Sequence, residues 1–106
     1  MAWFVLVVAG LLEVVWAFAM KRSDGFTRFW PSLVTLVTMA MSFGLLSWSM
    51  RSLPLGTAYT VWTGIGALGA FAVGIAILGE IASPLRLIAA ALILGGLVLM
   101  KLAATD

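Results

Sequence analysis

The sequence predicts an all-α integral membrane protein, with four transmembrane helices per chain. Three observations carry this. Of the 106 residues, 64% are apolar and only 9% are charged, far outside the composition of soluble domains. The apolar residues fall into four runs, Ala2 to Met20, Pro31 to Met50, about Pro54 to Leu78 and Pro84 to Ala103. Each run is about long enough to cross a ~30 Å hydrocarbon core as a helix, and loops this short force consecutive helices to run antiparallel. Third, a single carboxylate, Glu13, stands inside the first run. No span is left over for a second unit, so residues 1–106 read as one domain.

Composition also excludes function classes. Without Cys there are no disulfides, thiolate metal sites or thiol nucleophiles, and without His the commonest metal ligand and neutral-pH base is missing. No catalytic pair is present within the chain, so an enzyme is not expected, and neither is a metal or other cofactor. The formal charge of +2 is the balance of six basic and four acidic residues, and the basic ones are scattered over loops and helix ends, which suits membrane flanks and no nucleic acid. Ala17-Phe18-Ala19 has the look of a signal cleavage site, but no Lys or Arg precedes the apolar region and Glu13 interrupts it, so a retained first helix is expected.

Taken in order, the first helix gathers Gly10, Glu13, Trp16, Ala17 and Met20 on one face, opposite Val and Leu suited to lipid. Glu13 lies about 3 Å from the midpoint of that run, near the bilayer centre. The second helix places Thr35, Thr38, Ser42 and Ser49 on one face, with Met39 at its edge. Those hydroxyls either bond back to their own helix or line a cavity, and four on one face favour the cavity. The third helix presents Tyr59, Trp62, Thr63, Gly66, Ala70 and Gly74 on one side. Gly66, Ala70 and Gly74 form a small-residue ridge for close helix approach, and Gly64, Gly66 and Gly69 mark either simple packing or a bending point. Tyr59 and Trp62 could anchor at the interface or line the cavity; the depth of Trp62 favours lining. The fourth helix offers Ala89, Ala90, Ala91, Gly95 and Gly96 for contact between subunits. Arg86 and Lys101 are placed to snorkel to headgroups, with an acidic partner as the alternative for Lys101.

An unpaired charged carboxylate is costly in hydrocarbon, so Glu13 is expected to hold a proton when empty and to exchange it for an arriving cation. Trp16, Tyr59 and Trp62 supply π faces for that cation. Ser42 is expected to donate a hydrogen bond to the carboxylate. Proton and cation competing for one group is the physical basis of exchange. Alternating access to a midplane site generally uses two inverted repeats, and one chain of four helices contains none. Four basic residues on one face (Lys21, Arg22, Arg28, Arg86) against two on the other (Arg51, Lys101) bias orientation only weakly. Two copies can therefore insert in opposite senses, bring two Glu13 residues together and use Gly10 as room for the partner.

The run Glu13-Val14-Val15-Trp16-Ala17, then Lys21 through Arg28, Trp30-Pro31-Ser32, Pro54-Leu55-Gly56-Thr57-Ala58-Tyr59, Val61-Trp62-Thr63-Gly64-Ile65-Gly66 and Gly79-Glu80 resembles the small multidrug resistance family over essentially the whole chain. Trp16-Ala17 and Met39 look like its guanidinium exporter subtype rather than its quaternary ammonium exporters. The resemblance implies a dual-topology, antiparallel homodimer in the bacterial plasma membrane that exchanges guanidinium-type cations for protons. It also implies that Glu13 of both subunits binds substrate or protons, surrounded by Trp16, Ser42, Tyr59 and Trp62. Two departures stand out: Thr60, where Ala is more usual, bears on substrate range, and Ala89, where Gly is more usual, opens a dimer motif ending at Gly96. The alternatives are a broader exporter of quaternary ammonium cations and a non-transporting bundle with a structural Glu13.

Overall fold

The computed structural model describes residues 1–103, and these form four helices: α1 Ala2–Arg22, α2 Phe29–Ser49, α3 Leu55–Ala76 and α4 Pro84–Ala103. All four are long and apolar enough to cross a membrane. α1 runs on through Lys21 and Arg22, because basic side chains in a last turn complement the negative end of the helix dipole. α2 starts two residues before Pro31; that ring is tolerated in the first turn, where backbone N–H groups have no intrahelical acceptor. Pro54 caps α3 and Pro84 opens α4.

α1 is the central helix, packed against both α2 and α3, while the backbone of α4 contacts that of α3 alone. The apolar core lies at the end of the bundle where α1 starts, α2 ends and α3 starts. It is built from Leu6, Ala9, Leu46, Leu53, Ala58, Val61 and Trp62. Because lipid tails are as apolar as these side chains, tight contact rather than escape from water holds the helices together. Small residues therefore matter most at the crossings. A methyl group on Gly10 would lie 2.7 Å from Ile65 of α3, and one on Gly69 would overlap Val14 of α1.

Two side-chain contacts join the helices at positions singled out by the sequence. Gly10 seats Ile65 of its own chain, which lies where a side chain at that position would go. Among the described residues, the Lys101 ammonium meets no acidic partner and sits 4.6 Å from the centre of the Trp3 ring, a cation–π contact between α4 and α1. α4 buries none of its residues within the chain.

Candidate functional site

Glu13 lies one residue beyond the midpoint of α1, about 1.5 Å along the axis. Its side chain is half-buried and rests on Gly66 of α3, where any Cβ would overlap the carboxyl group. Glycine at that position is thus what lets an acid occupy the α1–α3 seam. Of the two carboxyl oxygens, Oε1 is buried and has no hydrogen-bond partner among the described residues. The same holds for Nε1 of Trp16, one turn further along the same face. An acceptor and a donor are therefore both buried and free within one turn of helix.

Ser42 ties three helices together. Its hydroxyl donates to the carbonyl oxygen of Ala9 on α1 at 2.7 Å and accepts from Nε1 of Trp62 on α3 at 2.9 Å. With its proton committed to Ala9, Ser42 does not orient the carboxylate directly, contrary to the sequence expectation. The action is one step removed. Ala9 is four residues before Glu13, so its carbonyl also receives the Glu13 backbone N–H in the helical ladder. Ser42 therefore fixes the turn of α1 that carries Glu13, and fixes the Trp62 indole at the same time.

The other three hydroxyls on that face of α2 do not share this role. Thr35 donates to the Pro31 carbonyl at 2.7 Å, Thr38 to that of Val34 at 2.6 Å, and Ser49 to that of Leu46 at 2.7 Å. Back-bonding within the helix satisfies all three, so the hydroxyl face is one functional residue and three self-satisfied ones.

Aromatic rings form a row across α1, α2 and α3. Trp16 meets Phe43 edge-on at 6.3 Å, Phe43 meets Trp62 at 5.7 Å, and Trp62 meets Tyr59 at 5.6 Å. Such offset and edge-on pairs are the favoured aromatic geometries. Phe43 is the member that the sequence did not reveal. Only its adjacency to Ser42 hinted at it. Trp62 is buried, whereas Tyr59, at the end of the row, is 53% exposed and faces the groove between α3 and α4. The structure thus joins Trp16, Ser42, Tyr59 and Trp62 into one contact network beside Glu13.

The remaining glycine and alanine positions separate into two sets. Gly64 is buried, and a Cβ there would lie 2.5 Å from Leu97, so it seats α4 on α3. α3 is continuous through Gly64 and Gly66. Ala89 is exposed beside a crevice between α3 and α4, and a Cβ on Gly96 would meet nothing within 4 Å.

Comparison with known proteins adds to this geometry. The model of a family described as "Small Multidrug Resistance protein" matches residues 1–93. The chain is 57% identical over 102 residues to a guanidinium exporter of Citrobacter freundii, covering 96% of this chain and 97% of that protein. It is 56% identical over 102 residues to a guanidinium exporter of Escherichia coli K12, with the same coverage of 96% and 97%. A guanidinium exporter of Salmonella typhimurium LT2 is 54% identical over 104 residues, 98% of this chain and 99% of that protein.

Proposed function

The chain belongs to the small multidrug resistance family, and we propose that it is a guanidinium exporter that exchanges its cation for protons at Glu13. It is a multi-pass membrane protein with four spanning helices. The observation that carries the reading is the buried Oε1 of Glu13, which has no partner among the described residues and lies in the middle of a membrane helix.

Guanidinium suits this site chemically. It is a planar ion whose N–H groups all donate, so a carboxylate can accept two of them in parallel. Ring faces stabilise its charge, and Trp16 stands one turn along α1 while Trp62 stands on neighbouring α3. Trp62 is held by Ser42 through its Nε1 and packs against Phe43 and Tyr59, so the ring is already ordered before a cation binds. A fully substituted quaternary ammonium ion has no N–H to give the carboxylate.

Exchange follows from competition. A bare charge at mid-membrane costs about 2.5–3.5 kcal/mol on insertion scales, so Glu13 carries a proton or a cation in turn. Each cation that loads displaces a proton, and each proton that loads expels a cation. Alternating access then requires an inverted second half, which the antiparallel homodimer supplies by pairing two chains around two Glu13 residues.

Transport by reconstituted protein in vesicles tests the assignment. Guanidinium is expected to drive larger currents than a bulky quaternary ammonium ion, and the reverse order would contradict it.

A further inference from the structure

Beyond the Glu13 site, a second feature lies along the same α1–α3 seam. A crevice of about 310 Å³ opens between the two helices toward the membrane face where both end. The small residues Ala17, Ala67 and Ala70 line it, together with the charged side chains of Lys21 and Glu80. On α1, Glu13, Ala17 and Lys21 follow one another at four-residue steps, so all three lie on one face. On α3, Gly66, which supports Glu13, is followed at the same step by Ala70 and then Gly74. Ala17 is therefore only about 6 Å along the axis from Glu13, and Lys21 about 12 Å.

The position of Glu80 is built rather than incidental. Gly79, at φ +71°, turns the chain back after α3, and the Glu80 backbone N–H donates to the Gly74 carbonyl at 3.0 Å. The side chain folds over Gly74, where a Cβ would overlap the carboxylate. A helix C-terminus favours a cation, so a carboxylate placed there is electrostatically misplaced unless a positive charge joins it. Lys21 across the crevice is one candidate. An incoming guanidinium ion is the other.

We propose that this crevice is an approach path for the transported cation, with the Glu80 carboxylate capturing guanidinium at the membrane face before it passes along the seam to Glu13. Lys21 opposes it by competing for the same carboxylate and by repelling the arriving ion. The idea rests on the exporter reading above and adds a second cation-binding group to it. A carboxylate at a narrow mouth raises the local cation concentration and the rate of loading, an effect screened by salt, without altering the affinity of the inner site.

The test uses full-length protein in vesicles at low ionic strength, with guanidinium as the probe. Glu80→Gln is expected to raise KM up to about tenfold with kcat nearly unchanged, and added salt is expected to shrink the difference. Lys21→Gln is expected to shift KM the opposite way. Guanidinium binding to detergent-solubilised protein, followed by tryptophan fluorescence, is expected to match wild type in both variants. Wild-type KM in Glu80→Gln at low salt, KM shifts of the same sign in both variants, or loss of equilibrium binding in Glu80→Gln would overturn the proposal, the last by making Glu80 a folding residue. If wild-type protein fails to move guanidinium, the exporter reading itself falls; if wild type transports and Glu80→Gln is indistinguishable from it, only this inference does.

Discussion

Glu13 owes its position to a neighbour with no side chain. Gly66 lies so close to the carboxyl group that a single added methyl would overlap it. Gly66→Ala is therefore expected to displace the acid and remove most guanidinium transport while the four helices still form, as circular dichroism would report. Retained transport would show that the seam has slack. Ser42 acts differently, because its two hydrogen bonds, to Ala9 and from Trp62, serve the scaffold around the acid. Ser42→Ala leaves a buried indole N–H without its acceptor, a loss of about 1 kcal/mol for an interhelical bond in a membrane. Unfolding in detergent should show that loss together with a weakened guanidinium affinity; unchanged values for both would remove Ser42 from the account. At this scale the sequence was informative about identity and poor about partners. An acid in the middle of an apolar run and an aromatic pair three residues apart are visible in one dimension. Whether Ser42 donates to Glu13 or to Ala9 depends on the rotation of α2 against α1, which helical spacing does not determine.

Among the elements, α1 is bound to α3 by glycine-seated crossings, and Gly64 seats Leu97 where α4 packs on α3. That contact makes a separable prediction. Gly64→Ala should weaken the α3–α4 packing, and adding Leu97→Ala should recover part of the loss, since the smaller side chain clears the new methyl. A double mutant no more stable than Gly64→Ala, by thermal unfolding in detergent, would contradict the assigned contact. The helices themselves were legible because each apolar run spans about a membrane thickness and proline marks three of the starts. The faces were less so. The second helix carries four hydroxyls in register, yet three are satisfied by their own backbone, and periodicity alone does not separate a bonded hydroxyl from a free one. Phe43 escaped notice for the opposite reason, since a phenylalanine in an apolar helix looks like any lipid-facing residue until its two tryptophan neighbours are known.

The whole molecule is a slab of 44 × 34 × 16 Å, little thicker than one helix with its side chains. α4 exposes all but its partly buried seat on α3, and Tyr59 at the end of the ring row is open to one side. Such a shape is what half of a two-chain transporter needs, and the antiparallel pairing proposed here makes a topological prediction. The protein has no native cysteine, so Ser52→Cys, in the exposed turn between α2 and α3, provides a unique label. Impermeant thiol reagent is expected to modify about half of the chains from each side of the membrane, whereas labelling from one side alone would rule out dual topology.

The central claim is that proton and guanidinium compete for Glu13, and it fixes the direction of the pH dependence. Lowering the pH favours the protonated carboxyl group, so it must weaken cation binding; raising the pH must strengthen it until the proton is gone. The most direct measurement is guanidinium binding to purified protein at a series of pH values, with proton release recorded in weakly buffered solution. The account predicts affinity that rises with pH, protons released on binding, and loss of both in Glu13→Gln. Affinity independent of pH, with no proton released by the wild-type protein, would contradict it.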